Sequence, residues 1–343
     1  MHDGTPMQSA FITGLAGQEL APREAALLTA ARPCGIILFK RNILEPEQVR
    51  RLVAAARAAV GLQDFLVLID QEGGRVQRLT PPHWRDRPAA ARYGAVHARD
   101  PAGAVRAARF AAGLAARELS SLGINTSCAP VLDLAVSGGH DIIGDRAYGT
   151  APDRVIALGR AVAEGLLAGG VLPVIKHIPG HGRATKDSHL ELPTVVASRA
   201  DLEASDFVPF RALADLPAAM TAHVVFSAID PTAPASVSPR LTREVIRESI
   251  GFDGLLMSDD LGMAALSGSM PERAEAVLRA GSDVALLCGG DCAEMEAVAT
   301  VVPPLAGRSL ARFKRACAAI GQPLALDLAA AESCLAEVLR ADA

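Results

Sequence analysis

Aromatic residues and net charge are both scarce in this sequence. Aromatic side chains make up 3% of the 343 residues, and the formal net charge is −4. Proteins that bind nucleic acids present a basic surface, and those that bind single strands add aromatic rings on which bases stack. Because the sequence has neither feature, it excludes a nucleic acid as the partner and predicts a small ligand of little charge.

Long hydrophobic runs are also missing. Half of the residues are apolar, yet no apolar stretch approaches the roughly 20 residues of a membrane-spanning helix. Residues 1–17 have no basic start, and Thr13 and Gly14 interrupt their apolar run, which is not typical of a signal peptide. The sequence therefore predicts a cytoplasmic protein that does not bind membranes.

Cysteines are few and lie mostly far apart. Two of the six form a close pair in CGGDC, but no second Cys or His pair at the spacing of metal ligands accompanies them. Because most of the six lie among Ala, Leu and Val, we expect buried free thiols in a reducing compartment rather than disulfides or a metal centre. The six are Cys34, Cys128, Cys288, Cys292, Cys317 and Cys334.

The sequence has instead an alternation of short apolar runs with longer segments of helical period. Continuous apolar runs of this kind are typical of parallel strands buried on both faces. Eight such runs predict an α/β fold, a single (β/α)8 TIM barrel that forms one domain over residues 1–343. A doubly wound open sheet is the alternative, but no GxGxxG opens a helix after a strand. The runs are 11–17, 35–41, 65–71, 124–134, 171–177, 218–226, 254–260 and 283–290.

Three of the intervening segments carry clear helix signals. Residues 45–61 have acidic residues in the first turn and end at a glycine. Residues 100–123 and 151–170 each have a proline near the start and a glycine at the end, the usual asymmetry of helices. These signals predict helices between successive strands.

Charged residues stand at the ends of five of the predicted strands. In a barrel these C-terminal ends gather at one mouth, where the βα loops hold the residues that do chemistry. A single such residue can simply open a loop or cap the next helix, but a buried strand rarely ends in an unpaired charge unless something binds there. The five ends together predict an active site. They carry Asp70, Asp133, Lys176 with His177, His223, and Asp259 with Asp260.

Residues 176–193, KHIPGHGRATKDSHLELP, carry three histidines on a turn-rich loop. His177 and His181 have helical spacing, but the proline and glycine between them prevent a continuous helix, and neither HxH nor HExxH is present. A metal is therefore disfavoured, and no cofactor is expected. Asp187 and His189 can meet as a carboxylate–imidazole pair, which fixes the tautomer of the ring and suits it for proton transfer. His181 is interpreted as an ordinary loop histidine.

The segment IDQEGGRVQRL combines a carboxylate, a glycine turn and two arginines. Asp70 can accept hydrogen bonds from two neighbouring sugar hydroxyls, and Arg75 and Arg78 donate from planar guanidinium groups. Glycines at 73–74 would let the backbone approach a ligand closely. Polar groups of this kind over an apolar floor suit a carbohydrate ring, so the segment predicts a sugar site.

These residues resemble the motifs of glycoside hydrolase family 3, and more narrowly those of its bacterial cytoplasmic β-N-acetylglucosaminidases of cell-wall recycling. The motifs occur in family order between about residue 35 and residue 263, and the histidine-rich loop with its DSH is specific to this branch. The motifs are GIILFKRN, IDQEGGRVQRL, APVLDL, GDRAYG, KHIPGHGRATKDSHLELP, MTAHVVF and GFDGLLMSDDLGM.

The resemblance implies a barrel without the second domain that many members carry, and a retaining double displacement. Asp259 would be the nucleophile, and His189 the general acid/base, oriented by Asp187. Spacing alone leaves Asp259 and Asp260 open, because neighbouring strand residues point to opposite faces and only one of them can face the mouth. The resemblance also implies a set of sugar-binding residues, which are Asp70, Arg78, Arg146, Lys176 and His177.

The expected function is that of an exo-β-N-acetylglucosaminidase that removes terminal GlcNAc from GlcNAc-1,6-anhydro-N-acetylmuramyl peptides. The expected partner is this small muropeptide, and a monomer is expected. The alternatives are an inactive sugar-binding regulator on the same barrel, a family 3 glycosidase or phosphorylase of different sugar specificity, and a metal-dependent hydrolase. Phosphorolysis is included because a neutral imidazole, unlike a second carboxylate, does not repel an anionic acceptor such as phosphate.

Overall fold

The computed structural model describes residues 8–325 and 327–340. Eight parallel strands close into a barrel, in which each strand pairs with the next along the chain and the last pairs with the first. This arrangement confirms the predicted (β/α)8 TIM barrel and excludes the open sheet. The strands are β1 (Ser9–Gly14), β2 (Pro33–Leu38), β3 (Leu66–Ile69), β4 (Thr126–Ser127), β5 (Leu172–Ile178), β6 (Ala218–Thr221), β7 (Leu255–Asp260) and β8 (Val284–Leu287).

Helices fill most of the connections between the strands. They are α1 (Pro22–Ala31), α2 (Pro46–Val60), α3 (Ala90–His97), α4 (Pro101–Ser121), α5 (Pro152–Ala168), α6 (Arg199–Ala204), α7 (Phe207–Ala212), α8 (Met270–Ala280), α9 (Cys292–Ala299), α10 (Gly307–Ala318) and α11 (Leu328–Arg340). A π-helix, Leu241–Ser249, precedes β7, and short 3-10 turns span Lys40–Asn42, Gly144–Arg146 and Ala235–Val237. Within the described ranges, none of the helices combines the length and apolar character needed to cross a bilayer.

The three helices predicted from proline and glycine signals are α2, α4 and α5. Each has proline as its first residue, where the missing N–H breaks no helical hydrogen bond. Asp100 adds a cap to α4, because its carboxylate accepts the N–H of Gly103 at 2.8 Å. The sequence therefore predicts these helices together with their boundaries.

One predicted strand is much shorter than expected. The sequence predicts a strand over 124–134, but β4 spans only Thr126–Ser127. Beyond Ser127 the chain follows β5 irregularly, through backbone hydrogen bonds of Ala129, Pro130 and Leu132 and one bridge between Val131 and Lys176. This irregular segment carries Asp133 to the end of β5. There its carboxylate accepts the backbone N–H of His177 and lies 2.6 Å from His177 Nδ1.

The run predicted over 218–226 divides into two strands. β6 ends at Thr221, and Val225–Phe226 joins a small separate sheet with Thr194–Val195 and Asp230–Pro234. Thr194–Val195 directly follows the histidine-rich loop. The small sheet therefore fixes the far end of that loop to the connection that follows β6.

The prediction of buried thiols holds for two of the six cysteines. Cys34 and Cys128 are buried, whereas the other four are partly exposed, and all six are free. The four lie outside the barrel strands, after β8 and on α9, α10 and α11, where one side of a helix or loop faces solvent. The expectation was wrong for these four because apolar neighbours in sequence do not fix which side of a helix is buried.

Candidate active site

Asp70, just after β3, is held between two cations at the mouth of the barrel. One of its oxygens accepts from the Arg78 guanidinium at 2.8 Å and the other from Lys176 Nζ at 3.0 Å. Burial raises the pKa of Asp70, but Lys176 and Arg78 outweigh it and hold that pKa well below its ordinary value. Asp70 is therefore ionised at neutral pH, and both oxygens keep lone pairs that sugar hydroxyls can use.

Glu72 continues this row of charges. Its Oε1 lies 2.6 Å from Lys176 Nζ, and its two oxygens accept from Arg146 at 2.8 and 2.9 Å. Burial raises the pKa of Glu72, whereas Lys176 and Arg146 lower it, and the net shift is downward. Sequence reasoning missed Glu72, although its place two residues after Asp70 puts both side chains on the same face of an extended chain.

The guanidinium of Arg146 is fully engaged within the protein. Two of its nitrogens bind Glu72, and the third donates to the carbonyl of Ile142 at 3.0 Å. Only 10% of the side chain is exposed. The structure therefore shows Arg146 holding Glu72 in place, and its direct contact with a sugar stays a prediction.

The segment after β3 differs from the sequence expectation in two respects. Arg75 does not join the row of charges but pairs with Asp145 at 2.7 Å and donates to backbone carbonyls of the same loop. Gly73 and Gly74 have positive φ angles, and a Cβ on either would collide with Pro88 or Ala89. These glycines thus allow two segments of the protein to pack closely. From the sequence alone they are expected instead to let the backbone approach a ligand.

His177 is fixed by a carboxylate at the end of β5. Its Nδ1 lies 2.6 Å from Asp133 Oδ2, and its backbone N–H is directed at the same carboxylate. Asp133 has no exposed side-chain surface and also accepts the N–H of His181 at 2.6 Å. Burial raises the pKa of Asp133, but His177 and then His181 bring it below its ordinary value. With Nδ1 engaged, His177 has Nε2 left to bind a ligand.

Asp259 and Asp260, at the end of β7, have different surroundings. Asp260 Oδ1 accepts the N–H groups of Gly262 and Cys288 at 3.0 and 2.9 Å, so this carboxylate ties the end of β7 to the end of β8. Asp259 accepts the N–H of Asp260 at 2.8 Å. Burial raises the pKa of Asp259, but His223, His177 and Lys176 contribute to a net lowering. Asp259 is therefore ionised at neutral pH and is stabilised electrostatically by these neighbours.

His223 supports this strand end from below the mouth. Its Nε2 lies 2.9 Å from the carbonyl of Asp260, and its Nδ1 lies 2.6 Å from Ser236 Oγ. Burial lowers the pKa of His223, so the ring is neutral and carries one proton. A carbonyl can only accept, so Nε2 donates to Asp260 and Nδ1 accepts the hydroxyl of Ser236.

The loop beyond Gly182 brings Asp187 and His189 together, as predicted. His189 Nδ1 lies 2.8 Å from Asp187 Oδ1, and the backbone N–H of His189 donates to the same oxygen at 2.9 Å. Burial raises the pKa of Asp187, but these N–H donors lower it below its ordinary value. Because Nδ1 donates to the carboxylate, Nε2 of His189 remains accessible to a ligand, and 59% of this side chain is exposed.

The predicted site residues thus form two groups. The fixed group comprises the charged row, His177 with Asp133, and Asp259. The loop pair stands apart, since within the described ranges the ring of His189 has Asp187 as its one hydrogen-bond partner. Residues 8–325 and 327–340 place no group of three or more His, Cys, Asp or Glu side chains so that it could hold a metal ion.

The comparisons with known proteins show that the chain is a glycoside hydrolase. The chain belongs to glycosyl hydrolase family 3, because residues 11–318 match the model of the family's N-terminal domain. The match spans all eight strands except the first two residues of β1.

Named relatives and solved structures resemble the chain over most of its length. A protein named beta-hexosaminidase from Alkalilimnicola ehrlichii is 45% identical over 282 residues, which are 81% of this chain and 80% of that protein. The crystal structure of native NagZ from Neisseria gonorrhoeae is 32% identical, with a TM-score of 0.86 over 97% of this chain and 98% of that one. The Neisseria protein has also been solved in complex with N-trifluoroacetyl-D-glucosamine and in complex with zinc ion.

Proposed function

We propose that the protein is a retaining exo-β-N-acetylglucosaminidase of the cytoplasm. It removes terminal GlcNAc from GlcNAc-1,6-anhydro-N-acetylmuramyl peptides that arise in cell-wall recycling. The observation that carries the proposal is the pairing of His189 Nδ1 with Asp187 at 2.8 Å on a loop of a barrel in which the ionised Asp259 is the second-last residue of β7. The whole chain, residues 1–343, acts in this proposal as one catalytic domain.

In the first step Asp259 attacks the anomeric carbon of the terminal sugar. A bond forms between a carboxylate oxygen and that carbon, while the bond from the carbon to the leaving oxygen breaks. The protonated imidazole of His189 gives the Nε2 proton to the departing oxygen, so the aglycone leaves as a neutral alcohol. The Asp187 carboxylate stabilises the positive charge of the ring before the transfer.

In the second step water replaces Asp259. His189, now neutral, accepts a proton from water at Nε2, and the water oxygen attacks the anomeric carbon as the ester bond to Asp259 breaks. The two inversions at this carbon restore the β configuration. Most glycosidases use two carboxylates for this chemistry, and here an imidazole with a carboxylate behind it replaces the second one.

The fixed group suits the non-reducing sugar ring. Asp70 and Lys176 lie 3.0 Å apart and together offer an acceptor and a donor to neighbouring hydroxyls, with His177 Nε2 and Arg78 beside them. The preference for an N-acetylated sugar is supported by the name of the Alkalilimnicola relative and by the glucosamine derivative bound in the Neisseria structure.

We expect strong selectivity in a panel of p-nitrophenyl β-glycosides. The GlcNAc derivative should exceed the glucoside and galactoside in kcat/KM by on the order of 10²-fold or more, because a site built around a polar substituent loses its partners when the substituent is absent. Initial rates at a series of concentrations measure this ratio. Equal activity on the glucoside would assign the protein to another specificity in the family, and complete absence of turnover would favour the inactive sugar-binding regulator.

Phosphorolysis is the second candidate, and the imidazole acid/base is the observation that favours it. A neutral ring at His189 places no negative charge beside the incoming acceptor, so phosphate is not repelled as it would be by a carboxylate. We expect hydrolysis nevertheless. Product analysis with and without inorganic phosphate tests this, because phosphorolysis would yield the sugar 1-phosphate in place of free GlcNAc.

We expect activity without a metal ion. The steps above need only Asp259, His189 and Asp187, and no metal-binding cluster is placed among the described residues. Dialysis against EDTA should leave kcat and KM unchanged, with dialysis against buffer as the control. Loss of activity on EDTA treatment, with recovery on adding zinc, would contradict the proposed mechanism and favour a metal-dependent hydrolase.

A further inference from the structure

The ring of His181 makes one hydrogen bond, and its partner is the residue between Asp187 and His189. His181 Nε2 lies 3.2 Å from the hydroxyl oxygen of Ser188, while its Nδ1 is buried without a hydrogen-bond partner in the described part of the chain. The backbone N–H of His181 binds a carboxylate, but almost any residue at this position could make that bond. What the side chain adds is its contact with Ser188.

The ring of His181 is fixed and uncharged. It is 3% exposed and packs edge to face against His177, with ring centres 5.7 Å apart. Burial, and after it the neighbouring His177, lower the pKa of His181 to about 4, which Asp133 and Asp259 offset only in part. A ring that stays neutral at neutral pH is suited to anchor a hydroxyl group.

Ser188 is the anchored residue of an otherwise exposed turn. It is 2% exposed, and its carbonyl accepts the N–H of Ala265 at 3.2 Å. The preceding residues 185–186 are exposed, and so is His189 directly after it. Since His189 follows Ser188 by one peptide unit, the position of Ser188 decides where the imidazole stands.

We propose that His181 is a positioning residue for the acid/base pair, and that it acts through the hydroxyl of Ser188. It connects the loop to the floor of the site, because the backbone of His181 and the side chain of His177 share the carboxylate of Asp133. This inference rests on the proposed function, in which His189 transfers the proton. Through this contact His181 would keep His189, the proton donor, at a fixed position relative to the residues that bind the sugar.

Ser188→Ala is the first test, since it removes one hydroxyl and leaves Asp187 and His189 unchanged. We expect kcat for a disaccharide of GlcNAc with a sugar alcohol as leaving group to fall about tenfold, the effect of a lost hydrogen bond that also leaves its buried partner unpaired. The first step on the 2,4-dinitrophenyl glycoside, measured by kcat/KM, needs little protonation of the leaving group and should change less than about twofold. KM for the disaccharide should stay the same, because the sugar-binding residues are unchanged.

His181 itself offers a matched pair of variants. The amide of His181→Gln reaches the position of Nε2 and can bind the Ser188 hydroxyl, whereas the shorter amide of His181→Asn reaches only the position of Nδ1. We expect the Gln variant to retain most of the activity on the disaccharide and the Asn variant to lose about as much as Ser188→Ala. Melting temperatures of all variants, measured by calorimetry, show whether a loss of activity reflects unfolding.

A double variant and a parallel measurement complete the experiment. Ser188→Ala combined with His181→Asn should be no slower than the slower single variant, because both remove the same contact. Equal losses on both substrates, or losses that multiply in the double variant, would overturn the inference. His189→Ala is measured beside them. If its loss does not depend on the leaving group, the proposed function fails. If His189→Ala shows that dependence but the Ser188 and His181 variants do not, only the positioning role of His181 is refuted.

Discussion

Replacing Asp259 with alanine is expected to lower kcat on every β-glycoside by roughly 10³-fold or more, the scale of losses seen when a nucleophile is removed. In the proposed mechanism this carboxylate attacks the anomeric carbon whatever the leaving group is, so an activated phenol should not rescue the variant. Steady-state rates on the disaccharide and on a dinitrophenyl glycoside measure the effect. The result expected is a large loss of similar size on both.

Asp260→Ala is the matched control one residue along the strand. Its carboxylate binds the N–H groups of Gly262 and Cys288, so its loss should lower the melting temperature and reduce activity less than Asp259→Ala does. A larger loss of kcat at Asp260 in a folded variant would show that the two roles are reversed.

Trapping gives an independent measurement of the nucleophile. A 5-fluoro derivative of GlcNAc with a good leaving group keeps the acetamido substituent and slows both steps, because fluorine beside the ring oxygen disfavours the positive charge that develops on the sugar ring. The intermediate should accumulate as an adduct of the protein, and peptide mass mapping should place it on Asp259. An adduct on any other residue would contradict the mechanism.

The barrel could be predicted from the sequence because its signals are local. Each strand is a short apolar run, and helices such as α4 carry a proline at the start and a glycine just past the end. The strand ends then indicate the mouth, since parallel strands in a closed barrel all end on the same side. Asp70, Lys176 and the pair Asp259–Asp260 can be located in this way without any knowledge of their contacts.

The partners of these residues could not be predicted, because they come from distant parts of the chain. The side chain of Lys176 contacts both Asp70 and Glu72, which precede it by more than 100 residues in the sequence. No sequence periodicity relates positions so far apart. Glu72 had a weak signal in its spacing from Asp70. The contact between His181 and Ser188 had no signal in the sequence. A histidine in a loop rich in glycine and proline shows the same local pattern whether or not its ring binds another residue.

Replacing His189 with alanine should lower kcat on a disaccharide with terminal GlcNAc by about 10²–10⁴-fold, the usual contribution of a general acid. A sugar alcohol is a poor leaving group that needs a proton as the bond breaks. A dinitrophenolate is stable as an anion, so the first step on the dinitrophenyl glycoside should be slowed far less.

The two steps can be separated in the His189→Ala variant. With the dinitrophenyl glycoside the intermediate on Asp259 should form quickly and then wait for a water molecule that no base activates, which gives a burst of phenolate followed by slow turnover. A small anionic nucleophile such as azide needs no base and should restore turnover. Stopped-flow absorbance measures the burst, and product analysis identifies the glycosyl azide.

Asp187→Ala should behave as a weaker form of the same variant. It leaves the imidazole in place but removes the carboxylate that binds Nδ1 at 2.8 Å, so the ring loses its fixed tautomer and the charge that stabilises its protonated form. The loss of kcat on the disaccharide should be smaller than for His189→Ala, and kcat/KM on the dinitrophenyl glycoside should again change far less. If His189→Ala instead harms both substrates equally and shows no burst, His189 is a binding or structural residue, and another group must carry the proton to the leaving oxygen.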